Sequence, residues 1–488
     1  MRSVKYLIMA MVSLVLSVGC GKEADSASLA LERTSLYFDS WSAAKQDISY
    51  VATNAQSVAI SSFSVGWSAI VNEATRTITV WPVGATEEGM TEADLPTEGT
   101  VVVNALNEDN EATSYSIYVY IATTESVDGD GKALANCYVV TKPATSYTFD
   151  VMHRPDGTEM ETNSVKLLWQ SNPNVVKNVN FVDGKVVFYV APSSDDVLRV
   201  EDTNAVIAAY DKGGDIIWSW HLWVVNENPL LAIDEYSNGK TFMRQNLGAF
   251  TNSNGSIEAE KIHASYGMYY QWGRKDPFPR PYYHDASGAD DESRYNDTGS
   301  YITEVYEERT SSNGTVAYVT ENPMVFITTA ADLDVEDGSF DWLTSADNNL
   351  WSDEKKSLYD PCPYGWRVPT AADLSVLAAD PNEGVDLNET LRKQYGWYLS
   401  DGVSTYFWSA CGRRRYSDGK VENMNYKEGV YPSEPQPWEG HYWTSSTTSD
   451  GKAVSLYFDL TTTRTVNKFN NAYPERRANG FQVRCVKK

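Results

Sequence analysis

Histidine is scarce in this chain: five in 488 residues, at positions 153, 221, 263, 284 and 441. They show no H-E-x-x-H or other metal-ligand spacing. A G-x-S-x-G elbow and a phosphate-cradling Walker loop are also missing, so the sequence offers no catalytic pair and no cofactor signature. Positive charge is short as well: 40 Lys and Arg stand against 66 Asp and Glu, for a net charge of -26. Nucleic acid needs a basic stripe, and electrostatic docking on anionic lipid needs basic clusters. Neither class of partner fits. The apolar run at residues 6–18 is too short to span a bilayer as a mature helix. Cysteine is limited to Cys20, Cys137, Cys362, Cys411 and Cys485.

Aromatic residues, by contrast, reach 12%, with 15 Trp and 31 Tyr. That composition favours strands over helical bundles, and the length exceeds one ordinary domain. The acidity is that of a soluble exterior protein. At the N-terminus, Arg2 and Lys5 precede the apolar run, the layout of a secretion signal over residues 1–19. Its end, Leu16-Ser17-Val18-Gly19-Cys20, resembles a bacterial lipoprotein cleavage site. The resemblance implies that Cys20 is acylated and that lipid, not a protein segment, holds the molecule on the membrane. Lys22-Glu23-Ala24-Asp25 is similar to the acidic tag that sends Bacteroidetes lipoproteins to the outer face of the outer membrane. A tether over 20–32 would follow.

From residue 33 to 123, seven short alternating runs with turn punctuation predict a sandwich of immunoglobulin type. They lie at 36–38, 47–51, 57–60, 67–70, 76–81, 99–103 and 115–120. The order of "SLYFDS", an asparagine-containing second strand, "GW" and "YVYIA", with Asn54, Trp67 and Trp81, resembles the BACON modules of Bacteroidetes, which were proposed to bind carbohydrate. Trp67 and Trp81 also fit plain core positions. Residues 124–132 read as a linker. Its Asp128-Gly129-Asp130-Gly131 lacks the later ligands of a calcium loop.

Residues 133–230 predict a second β unit. In 216–224, Trp218, Trp220, Leu222 and Val224 fall on one face and Ser219, His221 and Trp223 on the other. Big aromatics on both faces predict a strand buried between layers, with His221 a hydrogen-bonded core residue. The C-terminal domain, 231–488, is expected to contain a short amphipathic helix around Tyr269, Tyr270 and Trp272, long surface loops over 279–320, and a helix over 371–379. That last helix opens on a capping box, Thr370 and Asp373. It follows a corner, Asp360-Pro361-Cys362-Pro363-Tyr364-Gly365-Trp366-Arg367-Val368-Pro369, whose three prolines forbid regular structure. The final strand, 480–486, alternates apolar and polar residues.

After Cys20 is set aside, four cysteines allow three pairings. A corner and a last strand with one cysteine each suggest Cys362–Cys485. Five ordered segments, "RQNLGA", "YGMYYQWGRKDPF", "DPCPYGWRVPT", "YWTSS" and "NGFQVRC", resemble the Fibrobacter succinogenes major paralogous domain family. The family occurs on Bacteroidetes surface lipoproteins and fimbrium-associated proteins. "ANCYVV", "LLWQS", "NAVIA" and "IIWSWHLWVV" resemble the segment that accompanies it, so the likeness spans about residues 135–488. It implies a C-type-lectin-like fold in which a cysteine near the helix bonds the last strand, again Cys362–Cys485. Met243-Arg244-Gln245-Asn246 departs from the family's Asp-Arg-Asn.

The expected whole is mainly β with an α+β C-terminal domain: an Ig-like sandwich, a second β unit and a C-type-lectin-like domain. Its expected work is adhesion or fimbrium-associated display, without catalysis and without a cofactor or metal. The alternative is a glycan-binding lipoprotein of a polysaccharide-uptake system. Calcium-dependent lectins carry Glu-Pro-Asn or Gln-Pro-Asp with a Trp-Asn-Asp; here Glu434-Pro435-Gln436-Pro437-Trp438-Glu439 is a partial echo. Glu434, Gln436, Trp438 and Glu439 are therefore the candidate ligand-binding residues, in the 410–440 loop region. The ligand is expected to be a glycan or a protein outside the cell.

Overall fold

A computed structural model describes residues 26–87, 89–285, 288–291, 293–329, 341–379, 395–422, 439–460 and 469–488. The chain is mostly β, and it divides into two compact units, one formed chiefly by residues 40–119 and one by 120–488.

In the smaller unit each of the seven expected strands is present, within a few residues at either end. One sheet has the order Ser28–Leu31, Gln46–Thr53, Thr77–Pro82, Trp67–Asn72; the other runs Ser35–Phe38, Ala112–Ile121, Glu98–Leu106, Ser57–Phe63. Strict alternation builds the core, since Ile48, Ile78, Val80, Val101, Val103, Ile117 and Val119 are all fully buried. Trp67 is buried at 1% exposure. Trp81 is half-buried, with the Lys45 ammonium 3.8 Å from its ring centroid. Ser28–Leu31, expected within a tether, instead pairs antiparallel with Tyr50–Thr53. A run of only four residues, Ser28-Leu29-Ala30-Leu31, is too short for its alternation to reveal such an edge strand.

The larger unit stacks three layers. Thr145–Asp150, Lys185–Val190 and Val176–Val182 form an antiparallel sheet, extended by Thr124–Ser126 in parallel pairing with Ser146–Thr148. The expected linker is thus partly a strand. Its Asp128 is buried, and accepts from Ser126 Oγ at 2.8 Å and from the Asp150 N–H at 2.8 Å. The middle layer has the order Cys137–Val140, Ile216–Val224, Thr203–Tyr210, Ser164–Gln170. Its central strand Ile216–Val224 is buried on both faces. Trp218, Trp220, Leu222 and Val224 pack with Phe149 and Phe188 of the first layer, while Trp223 joins Met243, Trp272, Trp443 and Cys485. One continuous core therefore runs from Cys137 to Cys485.

The third layer holds the five motif segments, and its contacts explain their residues. Asn246 Nδ2 donates to Gln482 Oε1 at 2.8 Å, Gly267 N–H to the same oxygen at 3.0 Å, and Arg484 Nε to Asn246 Oδ1 at 2.9 Å. Trp443 Nε1 donates to the Tyr270 carbonyl at 2.7 Å, and its ring stacks on Phe481 at 4.1 Å. A Cβ on Gly267 would stand 2.7 Å from the Leu247 carbonyl oxygen, so the "LG" and "YG" segments meet at a point only glycine permits. Cys362 and Cys485 form a disulfide, with Cα atoms 6.1 Å apart, whereas Cys137 and Cys411 are free and buried.

Three local expectations are corrected. Tyr270–Gln271 is a strand paired with Gly480–Phe481, not part of a helix. Tyr269, Tyr270 and Trp272 are each fully buried, and burial on every side erases the periodicity that separates helix from strand. Residues 279–320 contain the hairpin Pro281–Asp285 with Gly288–Asp291, the strand Val305–Glu308 and the helix Val316–Glu321. The helix at 371 is a single turn, Ala371–Leu374, and Ala378–Ala379 pairs with Leu399–Ser400 instead. Its capping box is formed: the Asp373 N–H donates to Thr370 Oγ1 at 3.0 Å and the Thr370 N–H to Asp373 Oδ2 at 2.8 Å. Arg367 pairs with the same carboxylate at 2.8 Å.

Candidate functional site

Cys20, Glu434, Gln436 and Trp438 lie outside the described residues. Glu439 is described, at the start of the strand Glu439–Thr447. Its carboxylate is held within the protein: Oε2 lies 2.8 Å from His441 Nε2, and Oε1 accepts from the Tyr457 hydroxyl at 3.2 Å. Cross-strand register places Asp459 opposite. In the adjoining hairpin Arg413 pairs with Glu422 at 2.7 Å, and the fully buried Arg414 with Glu304 at 2.6 Å. These side chains are engaged in ion pairs within the protein.

The other reactive side chains are spoken for in the same way. Burial pushes the Cys411 thiol up to about 12, against the pull of Arg484, so it stays protonated at neutral pH. Burial pushes the His221 imidazole down to about 3; its Nε2 lies 2.9 Å from Asn204 Oδ1. Lys275 is buried with its ammonium on Asp276 Oδ1 at 2.6 Å and on the Ser219 carbonyl at 3.1 Å. Among the described residues no group of three His, Cys, Asp or Glu is arranged to hold a metal ion.

An open cleft of about 570 Å³ lies elsewhere, beside the disulfide. One wall is the corner segment. Trp366 N–H donates to the Pro363 carbonyl at 3.1 Å and Gly365 takes φ +78°, the pattern of a tight turn with its third residue left-handed. Tyr364 is the outer residue of that turn, 59% exposed. Directly beside it, hydrogen-bonded to the corner, runs the last strand: Lys487 pairs in register with Trp366, and the Lys488 N–H donates to the Gly365 carbonyl at 2.8 Å. The Cys362–Cys485 bond also ties the corner to the last strand. Asn136 anchors the floor, donating to the carbonyls of Leu358 at 2.7 Å and Asp360 at 2.9 Å.

Lys356 lies at this floor. Its ammonium donates to Asp360 Oδ1 and to the Cys362 carbonyl, each at 2.7 Å, and its side chain is only 11% exposed. Burial draws its pKa down, with Asp360 opposing. Asp360 is in turn fixed by the N–H groups of Cys362 and Val368, each at 2.9 Å. Apolar lining from Leu134, Pro155 and Leu358 completes a surface with one free aromatic face and several donors.

No family model and no curated protein matches this chain. Solved structures to which parts of it are similar include Bacteroides ovatus SGBP-B in complex with mixed-linkage heptasaccharide, at 8% identity over 40% of this chain and 43% of that one, TM-score 0.12. Human Desmocollin-1 ectodomain is similar at 11% identity over 43% and 42%, TM-score 0.15. Yersinia pseudotuberculosis adhesin InvE is similar at 9% over 60% and 95%, TM-score 0.14. The first of these is matched over less than half its own length. Scores of this size lie far below those of a shared fold.

The cleft was hidden from sequence reasoning because its aromatic stands among 31 tyrosines. The signal was nonetheless there. In Pro363-Tyr364-Gly365-Trp366 the second residue of a glycine-bearing turn is the one displayed outward.

Proposed function

We propose that this chain is a lipid-anchored, surface-exposed outer-membrane protein that binds rather than catalyses, acting in adhesion or fimbrium-associated display. Its resemblance to the Fibrobacter paralogous family and the lipoprotein-like Cys20 carry the location. The larger unit presents the binding surface, and its ligand is a carbohydrate outside the cell. The observation that carries this is Tyr364, an exposed ring fixed on a tight turn at the mouth of a cleft. Sugars dock their C–H faces on aromatic rings, while their hydroxyls take hydrogen bonds at the rim. The same feature supports the glycan-uptake setting, and the genes beside this one separate the two settings.

A glycan array probed with the purified protein tests the reading. Binding that is lost in Tyr364→Ala, with the thermal transition unchanged, is expected. Absence of binding to every glycan by folded protein would turn the reading to a protein ligand.

A further inference from the structure

The cleft has a sign opposite to that of the protein around it. The chain carries a net charge of -26, yet the described lining of this cleft holds Lys487 and Lys488, and Lys356 with its charge offset by Asp360 at 2.7 Å, against Asp156. An acidic surface repels anions at long range, so a local cationic pocket within it is a device for selecting among them. The three ammonium groups differ in how they are held. Lys487 and Lys488 are exposed, on a strand whose register is pinned by Trp366 and by Cys485. Lys356 is nearly buried and has two of its three donors committed, to Asp360 and to the Cys362 carbonyl. Tyr364 supplies an exposed aromatic ring on the corner beside that strand.

We propose that the cleft lined by Tyr364, Lys487 and Lys488 binds an acidic oligosaccharide, one whose sugar rings bear carboxylate or sulfate groups. This rests on the glycan reading above and narrows it to a charge class. The sugar ring lies against Tyr364, and its anionic substituent takes charge-assisted hydrogen bonds from the lysines. The lysines select acidic over neutral sugars; Tyr364 serves both.

The test is calorimetric titration of the purified protein with an oligogalacturonate, a sulfated oligosaccharide and a neutral cello-oligosaccharide of equal length. The acidic ligands are expected to bind at least about tenfold more tightly than the neutral one at low salt, with the margin shrinking as ionic strength rises to about 1 M, where screening acts within a few ångströms. The variant Lys487→Gln/Lys488→Gln, which alters only exposed side chains, is expected to lose that preference and to keep its thermal transition. Which acidic ligand binds tighter identifies the anionic group. Equal binding of acidic and neutral sugars, or an unchanged preference in the double variant, would overturn this inference while leaving the glycan reading in place. Failure of all three ligands to bind the folded protein would overturn this inference, and the glycan array then decides the broader reading.

Discussion

The Cys362–Cys485 bond closes a loop of 123 residues, and its removal is the perturbation whose size is best defined. Chain-entropy reasoning for a loop of that length gives about 5 kcal/mol of stabilisation, through restriction of the unfolded chain. Both half-cystines are fully buried in the core that joins the middle layer to the C-terminal strands, so the substituted side chains also leave small voids. Those add about 1 kcal/mol. Cys362→Ala/Cys485→Ala should therefore lose about 5–6 kcal/mol, comparable with the whole stability of many domains. Urea unfolding followed by tryptophan fluorescence measures it, since Trp272, Trp366 and Trp443 all lie in that core. Cys411→Ala is the control. Its thiol is buried and outside any disulfide, so its removal opens no loop and leaves a small cavity, about 1 kcal/mol. A double variant that unfolds within about 1 kcal/mol of the parent would refute the reasoning, because it would mean that strand pairing alone holds the last strand to the corner.

Further outcomes follow from single groups. His221 is neutral when folded, with its pKa depressed to about 3, while an unfolded histidine titrates near 6.5. Its contribution to stability is full above pH 6.5 and is lost as pH falls toward about 3, at up to about 1.4 kcal/mol per pH unit. His221→Gln should flatten that limb of the stability profile. Lys275→Met strands the buried Asp276 and Ser219 and should cost about 3–5 kcal/mol by urea unfolding, part of which Asp276→Asn in the same chain restores. Cys20→Ser should move the protein from the detergent-rich to the aqueous phase on Triton X-114 partitioning, because acyl chains are the proposed anchor.

Much of the fold could be read from the residues, and the failures share a cause. The seven strands of the sandwich show in sequence because one face of each meets core and the other water. Trp218 to Val224 was legible as a strand between layers because large aromatics alternate on both of its faces. Tyr269 to Trp272 was misread, since a segment buried all round has no polar face to mark its period. Ser28–Leu31 and Thr124–Ser126 are edge strands held by backbone pairing, which leaves little trace in side-chain pattern. The corner at 360–370 was recognised as a fixed structural element. That it also forms a wall of the cleft depends on Lys487 and Lys488, more than a hundred residues away in sequence and brought alongside by strand pairing. Of the residues expected to bind ligand, Glu439 proves to be engaged by His441 and Tyr457.

Glycan binding by the parent protein and by Tyr364→Ala, run on the same array, is the most direct test. Binding by the parent that disappears in the variant, at equal thermal stability, is the predicted result. Binding that survives the loss of the Tyr364 ring would place the ligand elsewhere and contradict the assignment of this cleft.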